Sequence, residues 1–318
     1  MRTIVAVLLS LALGSALAQS YPNHSVKVIV PWPPGQATDI AARVVADKLQ
    51  QALGQAFVID NRPGAGGAIG SELVVKSPAD GYTLLAASSG PLSIMPHLQK
   101  VPYEPLKDLA PISLVASTPF ALVVHPSFPA NNAKEFIALV RANPGKYTFS
   151  SSGTGATAHL FAELFNSMAG LQARHVPYKG TAQALTDIMN GQISYAVETV
   201  AATVGHIKSG RLKTFGVSTA KRTAAMPDVA PLADTPEVSA YDVAAWIGYA
   251  APAGTPQDIV VRLSAEIRKA LESAEMKERM ANIGLDPVGS TPEETAAFMR
   301  REQERYGQII RSANIKID

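Results

Sequence analysis

The sequence predicts an α/β protein of two lobes, each a mostly parallel sheet flanked by helices. Three observations predict it. Short apolar runs alternate with segments of helical period. The junction from run to helix is repeatedly a loop of Gly, Ser, Thr and Pro. The second half of the chain then repeats the order of the first, within 318 residues, enough for two average domains.

The first unit organises the rest. Val28-Ile29-Val30 reads as a strand, Pro31 to Gln36 breaks it, and a helix restarts at Thr38 with Ile40, Val44, Leu49 and Leu53 on one side. Gly54 caps that helix. Phe57 to Asp60 is a short strand, and the Asn61–Gly70 loop opens a helix through Lys76. Tyr82 to Ala87 is the next strand, followed by Ser88-Ser89-Gly90. Leu109 to Val115 and Phe120 to His125 are two apolar runs separated by Ser117, Thr118 and Pro119.

Asn132 with Glu135 starts another helix, stopped at Asn143-Pro144-Gly145. Tyr147 to Ser151 is a strand. Ser152-Gly153-Thr154-Gly155 turns into the helix of Leu160, Leu164 and Met168. Ala173 to Val176 is a strand, and Pro177 to Thr181 turns into the helix of Leu185, Ile188 and Met189. Ile193 to Val197, Thr214 to Ser218 and Ala244 to Ala251 are further strands. Thr255-Pro256 starts a helix with Ile259, Leu263, Ile267 and Leu271 at four-residue spacing. Thr291-Pro292-Glu293-Glu294 is a capping box for a last amphipathic helix. These two helices need a core, and the N-terminal lobe offers the room.

Composition excludes several classes. The chain is 47% hydrophobic and 17% charged, so it folds rather than staying disordered. Its formal charge is +2, with no cluster of Lys and Arg interleaved with aromatics, so no nucleic-acid surface is expected. It has no cysteine, which removes disulfides, thiolate metal sites and cysteine nucleophiles. At the N-terminus Arg2 precedes an apolar stretch from Ile4 to Leu17, and Ala16-Leu17-Ala18 is an A-x-A cleavage site. The stretch is shorter than the ~20 residues of a membrane span. Residues 1–18 are therefore expected to be a signal peptide, cut after Ala18, delivering the mature chain to the periplasm.

The motifs for chemistry fail one by one. Gly153-x-Gly155-x-x-Ala158 follows a strand like a dinucleotide fingerprint. The acid expected about 20 residues on is replaced by Arg174, His175, Tyr178 and Lys179. No phosphate-binding G-x-x-x-x-G-K-[ST] occurs. No G-x-S-x-G elbow occurs either, although a loop serine such as Ser88, Ser89, Ser150, Ser151 or Ser152 could pair with His159 or His175. That keeps a secreted α/β-class serine hydrolase as the alternative. His159 and Glu163 lie one helical turn apart with no third ligand nearby, so no metal is expected, and no cofactor. What remains is small-residue loops before helices, in both halves. Such loops share the carboxyl edge of a parallel sheet, and two facing edges make a cleft of N–H groups and hydroxyls that holds a carboxylate without Arg or Lys.

Four stretches together resemble a known family. They are Pro33-Pro34-Gly35 through Asp39-Ile40-Ala41-Ala42-Arg43, Asn61-Arg62-Pro63-Gly64-Ala65-Gly66-Gly67, Ser151-Ser152-Gly153-Thr154-Gly155 with His159, and His175-Val176-Pro177-Tyr178-Lys179-Gly180. In this order they are similar to the Bug-type receptors, the periplasmic substrate-binding proteins of tripartite tricarboxylate transporters. The resemblance covers essentially the whole mature chain. It implies a two-lobed, flytrap-like (type II) periplasmic binding fold. It implies a small carboxylate or acidic amino acid held between the lobes, transporter subunits or a sensor as partner, and no catalysis. One departure matters: the family's first loop commonly has two glycines, and here Gln36 follows Gly35.

On this reading residues 19–117 with 249–318 form the first lobe and 118–248 the second, in a monomer. Hinges are expected at Ser117 to Pro119 and around Trp246 to Tyr249. The expected ligand residues are Pro34, Gly35, Gln36, Ala37, Thr38, Ser88, Ser89 and Gly90 from the first lobe. From the second they are Ser152, Gly153, Thr154, Tyr178, Lys179, Gly180, Thr181 and Glu198. Backbone N–H groups and hydroxyls donate, Tyr178 serves as a flat wall, and Lys179 takes part through its backbone. Glu198, an acid at the cleft, repels carboxylates and favours a ligand with a donor group. Asp39 is expected to cap its helix rather than touch ligand.

Overall fold

The computed structural model describes residues 21–312 and residue 315; the expected signal peptide lies outside the described residues. The first half runs Val26–Val30 (β1), Ala37–Leu53 (α1), Phe57–Asn61 (β2), Ala68–Val75 (α2), Thr83–Ser88 (β3) and Leu109–Val124 (β4). The second runs Ala133–Arg141 (α3), Thr148–Ser151 (β5), Thr157–Ala169 (α4), Arg174–Pro177 (β6), Thr181–Met189 (α5), Tyr195–Thr199 (β7), Val200–Lys208 (α6) and Lys213–Val217 (β8). The chain returns through Ala244–Pro252 (β9), Gln257–Glu272 (α7), Ala274–Asn282 (α8), Asp286–Pro287 (β10) and Pro292–Ser312 (α9).

The strands lie in the order β2-β1-β3-β9-β4-β7-β5-β6, with β8 and β10 also on β4. β1 pairs in parallel with β2 and β3, and β5 with β6 and β7. The antiparallel members are β9 and the strands that meet β4. The α/β fold with mostly parallel strands is therefore present. The carboxyl ends of β1 and β3 on one side, and of β5 and β7 on the other, carry the loops that become the site.

β4 is a single strand of 16 residues where the sequence divides into two runs. Its ladder to β9 reaches Pro119↔Ala244, and the next residue already pairs with β7 as Phe120↔Thr199. Pro119 lacks an N–H, and it stands where the partner strand changes, so little of the ladder is lost there. The hydrogen-bond pattern thus crosses from one sheet to the other without a break. β9 is already paired with β3 at Ile247↔Ser88.

Burial explains the sequence patterns. Val28 and Val30 face α1 and α7, with Ala41, Val45, Leu84, Leu263 and Ile267. Ile29 faces the other way, with Leu85, Val74, Leu92 and Tyr306. A strand covered on both faces reads as a continuous apolar run. α1 buries Val44 and Leu49 of the expected face, and its inner face is shifted towards the alanines. Ala41, Ala42 and Val45 are fully buried, while Ile40 and Leu53 are only half-buried. Alanines let the helix axis approach the sheet, so the small residues win the inner face. Gly54 ends α1 at φ 72°, with its N–H on the Gln50 carbonyl. α6, which the sequence reading did not identify, follows β7 directly and packs Val200 and Val204 on Ala121 and Val123.

α9 does more than cover the first half. Its capping box closes reciprocally, Thr291 N–H to Glu294 Oε2 at 2.9 Å and Glu294 N–H to Thr291 Oγ1 at 3.2 Å. Tyr306 stacks on Phe161 of α4 at 6.1 Å and donates its hydroxyl to the Ala244 carbonyl at 2.9 Å. α9 therefore spans the back of the place where β4 and β9 cross. Among the described residues no helix is long and apolar enough to cross a membrane. None of their His, Cys, Asp and Glu side chains gather in a group of three that could hold a metal.

Candidate functional site

Four helices begin at one cavity. α1 starts after Gln36, α4 after Ala156, α5 after Gly180 and α6 after Thr199, and in none does a side chain cap the first turn. Elsewhere α3 is capped by Asn132, α8 by Ser273 and α9 by Thr291, while α2 and α7 also begin without a side-chain cap. The first N–H groups of a helix have no intrahelical acceptor, and four such ends facing one space favour an anion.

The cavity has a volume of about 40 Å³, room for roughly three waters. From the first half Trp32, Gln36, Ala37, Thr38, Ser88 and Ser89 line it. From the second come Ser152, Thr157, Ala158, Thr181, Glu198 and Thr199. The floor is built from the crossing strands: Thr118 and Phe120 of β4, and Ala245, Trp246 and Ile247 of β9. Glu198 is the one ionisable side chain of the lining, and no Lys, Arg or His is present there.

Its polar atoms are unusually unsatisfied. Gln36 Nε2, Thr118 Oγ1, Thr199 Oγ1 and Trp246 Nε1 are buried without a hydrogen-bond partner, and all four belong to lining residues. Each of these groups can donate. A buried unpaired donor costs about 1–3 kcal/mol, so leaving several in one place fits a site built for an acceptor that arrives from outside.

The first loop is braced from behind. The Asp39 carboxylate is buried and accepts the Gly35 N–H at 2.9 Å, Asn61 Nδ2 at 2.9 Å and a two-pronged contact from Arg43 at 2.9–3.1 Å. Burial pushes this carboxyl up, but the bonds from Arg43, Gly35 and Asn61 outweigh it and hold the group below the usual range. Asn61 also donates to the Trp32 carbonyl at 2.9 Å. Gly35 sits at φ 84°, where a side chain is strained. The Gly35 N–H is thus engaged inside the protein; Asp39, expected as a helix cap, instead accepts from the residue before the cap position and braces the loop. Trp32 is fixed by its Nε1–H, which donates to Ser88 Oγ at 2.9 Å.

The two halves touch around the cavity. Ser89 Oγ and Thr157 Oγ1 lie 3.3 Å apart. A Cβ added to Gly180 would sit 3.0 Å from Pro33 and 3.8 Å from Gln36 Nε2. One added to Gly155 would sit 2.4 Å from the Met95 sulfur. Met95 is 1% exposed, and its sulfur is also 2.8 Å from the equivalent position at Gly66. Glycines here make the close approach of the halves feasible.

Glu198 stands at the end of β7 and is 3% exposed. Its Oε1 accepts the Thr199 N–H at 2.7 Å and its Oε2 accepts the Thr181 hydroxyl at 3.1 Å. Burial pushes the carboxyl up to about 6, against the opposing bonds from Thr199 and Thr181.

Of the residues expected from sequence, Gln36, Ala37, Thr38, Ser88, Ser89, Ser152, Thr181 and Glu198 line the cavity. Pro34, Gly35 and Lys179 are exposed outside it. Gly90 instead backs Trp32, whose ring would be 2.8 Å from an added Cβ. Gly153, Thr154 and Gly180 shape the loops before α4 and α5 without lining the cavity. Tyr178 does not line the cavity, and its hydroxyl donates to Asp187 at 2.6 Å; the aromatic lining is Trp32, Phe120 and Trp246. Thr157, Ala158 and Thr199 escaped the sequence reading because glycine draws attention to the loop. The orphan N–H groups belong to the helix turn one to four residues later.

The sequence pattern described as "Tripartite tricarboxylate transporter family receptor" matches residues 41–315. The chain belongs to this family. Protein BugT of Bordetella pertussis is 38% identical over 94% of this chain and 92% of its own length. Among solved structures, one titled "R. palustris Rpa4515 with adipate" superposes with a TM-score of 0.90 at 32% identity, over 93% of this chain and 99% of that one. Another, MatC of Rhodopseudomonas palustris with bound malate, gives 0.84 at 28% identity, over 91% and 100%. Tripartite tricarboxylate receptors are periplasmic solute-binding proteins, and the α/β architecture described above is theirs.

Proposed function

We propose that this protein is a solute receptor that captures a small organic acid in the cleft between its halves, for uptake or sensing, without catalysis. The observation that carries the reading is the convergence of four uncapped helix starts and four unpaired buried donors on one cavity without a cation. A carboxylate is the acceptor that such donors suit. The adipate and malate of the two Rhodopseudomonas relatives agree with it. The lobes are taken as 19–117 with 249–318, and 118–248; β4 passes between the sheets after Pro119, where its partner changes from β9 to β7, and the return enters β9 at Ala244. Export follows the A-x-A site at Ala16-Leu17-Ala18.

The hydrolase alternative has one contact in its favour, Ser151 Oγ to His175 Nε2 at 2.7 Å. Burial, and then the neighbouring His159, hold His175 down to about 3, which leaves a poor general base. Ser151 Oγ is also engaged with the Gly153 carbonyl at 3.1 Å, and it does not line the cavity. The test is a thermal-shift screen of the mature chain against di- and tricarboxylates, acidic amino acids and pyridine carboxylates. Ligand at about 100 times its Kd adds about 2.7 kcal/mol, and the compound is recovered intact. No shift with any acid, or steady loss of the compound, refutes the reading.

A further inference from the structure

The cleft contains a group that a pure anion site does not need. Glu198 is a carboxyl in a lining that otherwise offers hydroxyls, N–H groups and apolar surface. Its two oxygens receive one hydrogen bond each from the protein, from the Thr199 N–H and the Thr181 hydroxyl. A carboxylate has about four acceptor sites, so about two remain, on a residue that lines the cavity. Thr181, Thr199 and Ala121, its cross-strand neighbour on β4, surround it, and none of them carries a charge. The starts of α5 and α6 offset part of its negative charge, no cation does so, and a donor that arrives with the ligand can supply more.

We propose that Glu198 is the specificity-determining residue of this cleft. It accepts a hydrogen bond from a donor that the ligand bears beside its carboxylate, ammonium above all and hydroxyl next, and so selects amino and hydroxy acids over plain dicarboxylates. This rests on the carboxylate reading above. The uncapped starts of α1 and α4 take the carboxylate, while Glu198, at the starts of α5 and α6, takes the donor. A second ligand carboxylate at that position would meet a like charge with no cation to separate them. The ionisation of Glu198, held up to about 6 by burial, makes the preference depend on pH. Above that value the carboxylate attracts an ammonium, and below it the protonated acid loses most of this attraction.

Two matched probe series test the proposal by calorimetry: succinate, malate and aspartate, and glutarate, 2-hydroxyglutarate and glutamate. In the wild type, at least one series is expected to gain tenfold or more in affinity from the plain diacid to its amino or hydroxy form. Glu198→Gln keeps the shape and should bring that ratio to within about threefold while the plain diacid binds as well or better. Because the variant alters a buried group, the wild type is also titrated from pH 7.5 to pH 5.5. The amino-acid-to-diacid ratio should fall several-fold towards the lower pH, and a folded Glu198→Gln protein controls for titration of the probes themselves. A ratio unchanged in the variant, a ratio flat with pH, or plain diacids preferred by the wild type overturns the assignment of Glu198 and leaves the receptor reading standing. Failure of a folded wild type to bind any of the six probes, or any acid of the broader screen, overturns both.

Discussion

Replacing Asp39 by Asn tests whether the first loop is shaped by its brace. The aspartate accepts from Gly35 N–H and Arg43 on one oxygen, and from Asn61 and Arg43 on the other. An asparagine of the same shape keeps one acceptor and turns an NH2 group towards donors on the other side. Losing about two bonds to a charged group costs about 1.5–3 kcal/mol each. The Arg43 side chain is 50% exposed, so water replaces part of its loss. A net cost of about 2–3 kcal/mol remains. With about 2.1 cal/mol/K per residue over roughly 300 residues, the transition entropy is about 0.6 kcal/mol/K, so Tm falls by about 3–5 °C. The sign with pH is definite. The folded carboxyl lies below its unfolded value, so its stabilisation is complete above the unfolded range near pH 4 and is lost as pH falls through the folded pKa. Thermal melts followed by circular dichroism at pH 7, 5 and 3.5 should therefore show the gap between wild type and variant narrowing in the acid. A loss below 1 °C at pH 7, or a gap that does not change with pH, refutes the brace. Ligand affinity should fall as well, because the Gly35 turn sets the start of α1.

Two other substitutions separate binding from folding. Thr118→Val removes a buried hydroxyl that has no partner, so the unliganded protein should melt at the same temperature or up to ~2 °C higher, while the ligand-induced shift shrinks. A lower Tm without ligand would mean that the hydroxyl has a structural partner. Gly155→Ala places a methyl against the Met95 sulfur of the other half, at a φ of 76° that itself costs about 1–2 kcal/mol. It should weaken ligand binding tenfold or more and increase the radius of gyration measured by small-angle scattering with ligand present. Unchanged affinity and scattering would show that the halves close without this contact.

The sequence disclosed most of what is local. The alternation of apolar runs and helical periods located the sheets, and the capping residues Asn132, Gly54 and Thr291 marked helix ends that the fold retains. Glycine-rich loops lie beside the cavity in both halves. The residues that line it follow a few positions later, Thr157 and Ala158 after Gly153 and Thr154. A loop's composition reports its backbone conformation, whereas the free N–H groups belong to the helix turn that follows. α6 went unidentified although Thr199, a residue type that caps helices, stands at its N-cap.

The sequence by itself determined the class of the fold, the absence of any cysteine chemistry and the family, because each depends on residue type, order and period. Only the tertiary structure decided that β4 runs unbroken through Pro119, since β9 and β7 supply its partners from distant parts of the chain. The structure also decided which polar groups are left without partners. Thr118, Trp246 and Thr199 are ordinary strand and loop residues in one dimension. They become a site because residues more than 40 positions apart pack closely enough to exclude water without satisfying those groups. Satisfaction of a buried donor depends on what surrounds it in space, and no pattern along the chain encodes that.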